Sequence, residues 1–366
     1  MTATSIRRWL HWTLSVPAIA VVLLAITWGS EPAPVMLLIE GIFLVGSVLA
    51  AVHHAEVVAH KVGEPYGSLV LAVAVTVIEV ALIVTLMLSG KGETSTLARD
   101  TVFSAVMLTM NGIVGLSVLV GARRHHLVVF NAEGTGSALA TVVALAGLTL
   151  VLPRFTTSEP GPVFSPSQLA FAAIASLALY GLFVFTQTVR HRDFFLPTKP
   201  GGGVLAEDDH ADPPTTQAML ISLGALLAAL VAVVGLTKIE SPAIEAGVAA
   251  LGFPASFVGV VIALLVLLPE SIAAVKAASR NRLQTSLNLA YGSAMASIGL
   301  TIPTIAIASI WIPGPLALGL EPVHMLLFGI SVVIALLTVI PGRAKTLQGW
   351  VHLVLLAAFL FLSVRP

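Results

Sequence analysis

The sequence lacks cysteine and contains little charge. With no cysteine among its 366 residues, the chain can form neither disulfides nor thiolate metal sites. Charged residues make up only 10% of it, whereas soluble domains carry about a quarter. The formal net charge is zero, which argues against a nucleic-acid partner. A soluble fold is excluded because 57% of the residues are hydrophobic and too little polar surface remains to cover them.

Long apolar runs occupy most of the chain. A helix needs about 20 such residues to cross the hydrocarbon core of a bilayer. We predict eleven membrane helices, at residues 11–28, 34–60, 67–90, 101–121, 136–152, 167–189, 217–236, 254–279, 284–312, 322–341 and 346–363. The first run follows Arg7 and Arg8. We interpret it as a retained helix rather than a signal peptide, because no small-residue cleavage site closes it convincingly.

One polar interruption divides these helices into two groups. The stretch "RHRDFFLPTKPGGGVLAEDDHADPPTT", residues 190–216, is rich in Pro, Gly and acid and is predicted to be a solvated linker on the cytoplasmic side. The predicted organisation is therefore an extra N-terminal helix in residues 1–30, a first repeat in 34–189, the linker, and a second repeat in 217–366.

Two apolar runs each contain a carboxylate at their centre. Glu79 lies within "AVAVTVIEVALIVTLML" and Glu270 within "VVIALLVLLPESIAA". These are the third and eighth predicted helices, so they cross the membrane in opposite directions. Two inverted repeats of five helices, with a substrate site where they meet, are a common plan of secondary transporters. We therefore predict an all-α membrane protein of about 11 helices, with two inverted five-helix repeats that each bring one acid to a shared site.

The chemistry of paired acids indicates ion binding. A charge at the bilayer centre costs at least ~2.5 kcal/mol on insertion scales, so Glu79 and Glu270 are candidate functional residues. Two facing carboxylates can hold a divalent metal cation, since hard cations prefer oxygen ligands. Without that cation, repulsion and desolvation favour proton uptake. The alternative is a protonated acid that only hydrogen-bonds a neighbouring helix.

Further oxygen ligands are predicted near the two acids. Thr76 precedes Glu79 by three residues and shares its helix face. Pro269 interrupts the backbone hydrogen bonds just before Glu270 and frees carbonyls to line a cavity, or it only kinks the helix. Asn111 and Ser293 lie on polar stripes of the following helices, which serve either ion passage or helix packing.

A third candidate group is found in "VHHAEVVAHKVGEPYG". His53, Glu56 and His60 share one helix face, a spacing that suits a transition metal. A gate or proton relay and ordinary packed histidines are the other interpretations. The metal interpretation leads to a more distant alternative function, a metal-dependent membrane enzyme.

The distribution of cationic residues predicts the orientation. With the N-terminus in the cytoplasm, 13 of the 18 Lys and Arg residues fall in inside regions and 5 in outside regions. We therefore expect a multi-pass protein of the inner (plasma) membrane with its C-terminus outside.

Several segments resemble the calcium/proton exchanger family of the cation/calcium exchanger superfamily, with the best fit to its bacterial calcium/proton antiporters. "EVVAHKVGEPYGSLVLAVAVTVIEVALI" is similar to the first repeat motif, in which Glu79 matches the family glutamate. "LLPESIAAVKAASRNRLQTSLNLAYGSAMASIGLTIP" is similar to the second, with Glu270 in the equivalent place. The resemblance covers about three quarters of the chain. It implies an eleven-helix exporter of cations driven by proton influx.

The motifs also depart from the family pattern. Ser271 replaces a histidine after the second glutamate, and Ala296 replaces a glutamine. Because amide and imidazole ligands are lost, the same two glutamates are also compatible with a Na⁺(K⁺)/H⁺ antiporter. We expect no cofactor, inorganic cations and protons as substrates, and the lipid bilayer as surroundings. A channel and a structural scaffold are the remaining alternatives.

Overall fold

The computed structural model describes residues 3–30, 32–63, 66–89, 95–196, 214–311 and 314–365, with side chains described from residue 12 onward except at 66–69 and 89. The described chain is almost entirely helical. Ten helices are long and apolar enough to cross a membrane, and Trp12–Thr27 forms a shorter apolar helix before them. The prediction of an all-α membrane protein with eleven helices is confirmed.

The helices follow the predicted segments closely. They are α1 (Ala3–Thr27), α2 (Pro34–Val62), α3 (Tyr66–Ser89), α4 (Leu97–Met107), α5 (Val114–His125), α6 (Ala132–Ala146), α7 (Pro166–Phe185), α8 (Thr216–Ala250), α9 (Phe257–Ser279), α10 (Leu283–Ala308), α11 (Pro322–Val339) and α12 (Thr346–Val364). A π-helical turn, Leu108–Ile113, joins α4 to α5, so that Leu97–His125 is one continuous span. π-helical turns also follow α6, at Gly147–Val151, and α7, at Thr186–Arg190.

One helix is much longer than predicted. The seventh apolar segment was expected to end near residue 236, but α8 continues to Ala250. Lys238, Glu240 and Pro242 interrupt the apolar pattern there without ending the helix. Glu240 and the neighbouring Ser241 are buried, because this part of α8 packs inside the protein rather than entering a solvent-exposed loop.

The helices form two compact units that draw on both halves of the sequence. The first unit comprises residues 1–94 and 209–255, which contain α1, α2, α3 and α8. Within it, α1 approaches α2 so closely that a Cβ atom on Gly46 would lie 2.7 Å from Val16 Cγ1. Small residues of this kind let membrane helices pack backbone against backbone.

The second unit comprises residues 95–208 and 256–366. Two short strands, β1 (Val128–Val129) and β2 (Arg343–Ala344), pair antiparallel and join the segments that follow α5 and α11. A separate bridge joins Val163 to Ala317, in the segments after α6 and α10. The β1–β2 pair connects two loops that are predicted to lie on the cytoplasmic side of the membrane. The Val163–Ala317 bridge connects two loops that are predicted to lie on the outer side. Within this unit, the pairing agrees with the predicted topology.

The predicted linker lies largely outside the described residues, which resume at 214. Its first residues are ordered against the second unit: Arg192–Phe195 forms a 3-10 turn, and the Phe195 ring is buried. Asn288 Nδ2 donates to the Phe195 carbonyl oxygen at 2.6 Å. The ordered chain after α7 therefore extends further than predicted, and the repeat boundaries stay a prediction.

Candidate cation-binding residues

Glu79 lies in the interior of the first unit, in the middle of α3. Its side chain is only 3% exposed, within a helix that is otherwise almost wholly apolar. Thr76, one turn earlier, is also buried, and its Oγ1 atom has no hydrogen-bond partner in the described part of the chain. A buried carboxylate and a buried, unpaired hydroxyl on one helix face form an oxygen-rich position in an apolar setting.

Glu270 occupies the corresponding position of the second unit, in α9. It is half-buried and directly follows Pro269, which lies inside the helix. Because proline has no N–H group, the backbone carbonyl of Leu265 loses its helical hydrogen bond. Ser271 Oγ donates to the Leu267 carbonyl oxygen at 2.7 Å, so this hydroxyl is bonded within its own helix. The sequence predicted a backbone oxygen of this kind near Glu270, and its role as an ion ligand stays a prediction.

The two acids have matching places in their helices. Glu79 is the fourteenth residue of the 24-residue α3, and Glu270 is the fourteenth residue of the 23-residue α9. Each is therefore close to the middle of a membrane span. Glu79 belongs to the first compact unit and Glu270 to the second.

Asn111 lies in the π-helical turn between α4 and α5 and is fully buried. Its Nδ2 atom donates to Ser331 Oγ at 2.9 Å, and its Oδ1 atom lies 3.2 Å from His352 Nδ1. His352 Nε2 in turn lies 3.1 Å from Thr338 Oγ1. The amide nitrogen of Asn111 is thus bonded to α11 and its amide oxygen to α12. Asn111 could bind an ion only if the bond to its oxygen were broken. The geometry favours the packing interpretation of this stripe.

Ser293 is half-buried on α10, a helix that carries several buried hydroxyl groups. Thr301 Oγ1, on the same stripe, is buried without a hydrogen-bond partner in the described residues. Ser286 Oγ donates to the backbone carbonyl of Ala274, one turn after Glu270. This bond fixes α10 beside the part of α9 that carries the acid.

The three residues His53, Glu56 and His60 do not form a metal cluster. His53 is half-buried, whereas Glu56 and His60 are exposed. Across the described ranges, no group of three or more His, Cys, Asp and Glu side chains is placed to hold a metal ion. The buried histidine of this stretch is His54, whose Nε2 atom lies 3.1 Å from the Thr13 carbonyl oxygen of α1. A gate or relay role for the three stays a prediction.

Comparison with known proteins identifies the family. The profile described as sodium/calcium exchanger protein matches residues 32–189 and 221–365, which include both acids and both halves. The chain belongs to the sodium/calcium exchanger family. This exchanger is a multi-pass membrane transporter, and the alternative of a metal-dependent enzyme is set aside.

Two relatives cover nearly the whole exchanger. It is 44% identical over 362 residues to y4hA of Sinorhizobium fredii (strain NBRC 101917 / NGR234), described only as an ionic transporter, covering 97% of this chain and 96% of that one. It is 34% identical over 351 residues to the sodium-potassium/proton antiporter ChaA of Escherichia coli (strain K12), covering 95% and 94%.

A solved structure of native YfkE shares the fold with a TM-score of 0.73 at 14% identity, covering 98% of this chain and 99% of that one. The H⁺/Ca²⁺ exchanger CAX does so with a TM-score of 0.71 at 16% identity, covering 98% and 89%. At these identities the likeness shows the fold alone.

Three further acids of the exchanger are buried and were not predicted from the sequence. Asp100 on α4 is 5% exposed and pairs with Arg99, whose Nε atom lies 2.8 Å from its Oδ1 atom. Glu40 on α2 has a side chain with 0% exposure, and Glu240 on α8 is 7% exposed. Glu40 lies inside a predicted apolar run and was detectable as an intramembrane charge. Glu240 lies past the predicted end of its segment, so nothing in the apolar pattern marked it as buried.

Proposed function

We propose that this exchanger is a secondary active antiporter that exports Ca²⁺ in exchange for H⁺ by alternating access. The observation that carries the proposal is the matched placement of Glu79 and Glu270, one acid at the middle of a membrane span in each half of the chain. Family membership supports a cation as the substrate. Its proposed location is the inner (plasma) membrane with the N-terminus in the cytoplasm, supported by the cationic-residue bias and by its bacterial relatives.

Charge balance explains why the two acids suit exchange. Two carboxylates carry a charge of −2 when ionised, which one Ca²⁺ or two protons can neutralise. In a water-poor setting, the empty and fully ionised pair is strongly disfavoured. Cation and protons therefore compete for the same acids. Release of one at either face of the membrane requires uptake of the other, which couples the two flows.

Additional oxygen ligands are assigned by the same reasoning. The unpaired hydroxyl of Thr76 lies one turn from Glu79, and the carbonyl freed by Pro269 lies close to Glu270 along its helix. Ser293 is a further candidate from the helix after Glu270. Asn111 ranks last, because its amide is already bonded to Ser331 and His352.

A second candidate function is Na⁺(K⁺)/H⁺ antiport with the same two acids. Its support is the 34% identity to a relative described as a sodium-potassium/proton antiporter. The departures Ser271 and Ala296 also remove ligands expected for strict calcium binding. The coordination demands of Na⁺ and K⁺ are less strict than those of Ca²⁺, so the same acids would serve with one proton retained.

The deciding experiment measures exchange in everted membrane vesicles. Respiration acidifies the vesicles, and added Ca²⁺, Na⁺ or K⁺ should release protons and restore the fluorescence of a pH-sensitive dye. We expect a response to Ca²⁺ that is abolished in both Glu79→Gln and Glu270→Gln. Glu159→Gln, which changes an exposed glutamate in the segment after α6, serves as the control and should retain exchange.

The outcomes separate the two candidates. A response to Na⁺ or K⁺ without one to Ca²⁺ would establish the second candidate function. Full exchange in either glutamine variant, at wild-type protein levels in the membrane, would remove the carboxylates from the mechanism.

A further inference from the structure

We propose that Glu40 and Glu240 form a second cation site, within the first unit, that binds a hard divalent cation such as Ca²⁺. The site is separate from the helix position of Glu79 and goes beyond the proposed exchange reaction. It is built from α2 and α8, the first helices of the two predicted repeats.

The two carboxyl groups are buried and electrostatically coupled. Glu40, the seventh residue of α2, is 0% exposed, and Glu240 on α8 is 7% exposed. Within the unit, α2 packs against α8 more extensively than any other two described helices pack together, and the two carboxyl groups are near enough for the charge of Glu40 to act on Glu240. In the described part of the chain, the two carboxyl oxygens of Glu40 have no hydrogen-bond partner. The same is true of Oε1 of Glu240. Three carboxyl oxygens therefore face protein interior without a donor.

No described cationic side chain neutralises this pair. On α8, Lys238 is exposed, and its Nζ atom lies 4.9 Å from the centre of the ring of Trp28, which directly follows α1. The other titratable residue at this end of α8 is Glu245, another acid, and residues 12–27 of α1 contain none.

The titratable groups of the remaining helices lie further away. The described side chains of α3 include a single titratable group, Glu79 at mid-helix. The histidines and the other charges of α2 begin at His53, thirteen residues after Glu40, which is about 20 Å along the helix axis. The acids of this site therefore have no counter-ion among the described residues of the unit.

Burial without a counter-ion is costly, and a bound cation removes the cost. An ionised carboxylate taken out of water needs a partner charge or several donors. A divalent cation neutralises both groups at once. Ca²⁺ fits best because it accepts six to eight oxygens in flexible geometry and takes backbone carbonyls and water as ligands.

The backbone beside Glu240 offers one more such oxygen. Pro242 lies inside α8, so the Lys238 carbonyl has no helical N–H partner. This is the same device as Pro269 beside Glu270 in α9. The side chain of Ser241, next to Glu240, is fully buried and lies 3.5 Å from Glu245 Oε1.

The site lies away from the middle of a span: Glu40 is near the start of α2, and Glu240 is in the last third of α8. Lysine and tryptophan pairs are typical of the membrane–water interface, and Lys238 and Trp28 form one. Glu240 follows Lys238 by two residues, about 3 Å along the axis. A cation there has a short path to water, which suits a loading site that ions occupy from one side of the membrane.

The test is Ca²⁺ binding to the full chain, purified in detergent, by equilibrium dialysis at mildly alkaline pH. The background variant is Glu79→Gln with Glu270→Gln, in which the proposed exchange site is disabled. We expect this background to bind a single Ca²⁺ per chain. Adding Glu40→Gln or Glu240→Gln should weaken that binding by at least the ~10–100-fold that loss of even an outer-shell partner costs.

Two further variants make the result specific. Glu133→Gln, at an exposed acid of the second unit, should leave the binding unchanged. Glu40→Asp keeps the charge and should retain measurable binding, which separates loss of a ligand from loss of the fold. A background that binds no Ca²⁺, or binding that survives Glu40→Gln with Glu240→Gln, would overturn the proposal. Neither outcome depends on whether Glu79 and Glu270 carry exchange, which the vesicle assay measures separately.

Discussion

At the scale of single residues, a histidine of the first unit bonds to a backbone carbonyl one turn before a proline. Pro17 lies inside α1 and has no N–H group, so the carbonyl oxygen of Thr13 lacks its helical donor. His54 of α2 supplies the missing donor from Nε2, at 3.1 Å. A carbonyl oxygen only accepts, so this contact fixes the hydrogen of the imidazole on Nε2. The His54 side chain thus links α2 to α1 by a hydrogen bond.

The hydrogen bond between His54 and the Thr13 carbonyl can be tested by mutation. His54→Ala removes a donor from the buried Thr13 carbonyl, which should lower the free energy of unfolding by about 1–3 kcal/mol. Pro17→Ala restores the N–H of residue 17, so the same His54→Ala change should cost less in that background. Unfolding in detergent with increasing denaturant measures all four proteins of this cycle. Equal losses in both backgrounds would show that the hydrogen bond is not the cause.

Residue-scale prediction from the sequence succeeded where an acid interrupts an apolar run, as at Glu79. The role of His54 could not be foreseen, because its partner is a backbone atom 41 residues away that only the packing of α1 on α2 brings near. The bonds of Asn111 to Ser331 and His352 span even longer separations and escape prediction for the same reason.

At the scale of elements, close contacts between helices depend on single glycines. In the second unit, a Cβ atom on Gly349 of α12 would lie 2.7 Å from Leu119 N and 2.9 Å from Gly115 O of α5. Both neighbours are backbone atoms, so the two helices would have to move apart. A Cβ atom on Gly181 of α7 would have no atom within 4 Å outside its own helix and chain neighbours.

The element-scale prediction compares these two glycines. Gly349→Ala should destabilise the protein by about 1–3 kcal/mol, the usual cost of overpacking. Gly181→Ala should be neutral or stabilise by about 0.5–1 kcal/mol, because alanine loses less backbone entropy in a helix. Thermal unfolding of the two purified variants in one detergent gives the comparison. A Gly349→Ala protein as stable as Gly181→Ala would contradict the close packing of α5 and α12.

The ends of elements were predictable only where the sequence changes character. Segments bounded by loops were placed to within a residue or two, as for α12 and for the span Pro166–Arg190 that α7 forms with its π-helical turn. The end of α8 was missed because Glu240 and Pro242 are typical of a loop, and only burial against other helices keeps them in a helix. The π-helical turns were not predicted either, since one widened turn is too short to change the residue pattern of a long helix.

At the scale of the whole molecule, the compact units cut across the sequence halves. The first unit combines α2 and α3 of the first half with α8 of the second, and the second unit contains the remaining membrane helices after α3. Hydropathy orders helices along the chain but carries no information on which of them pack together. The internal symmetry of the acids was therefore visible in the sequence, whereas the grouping of helices required the structure.

The orientation of the molecule can be tested because the chain has no native cysteine. Glu133 and Glu159 are exposed glutamates in the first turn of α6 and in the segment after the α6 span. The pairing of β1 with β2 is near Glu133 in the sequence, and the bridge of Val163 with Ala317 is near Glu159.

The distribution of cationic residues predicts that the β1 side of the membrane is cytoplasmic. Acidic residues contribute little to orientation, so replacing either glutamate should leave the topology unchanged. In intact cells, a membrane-impermeant thiol reagent should label Glu159→Cys and should reach Glu133→Cys only after permeabilisation. Labelling in the reverse order would invert the topology, and with it the direction of the proposed cation export.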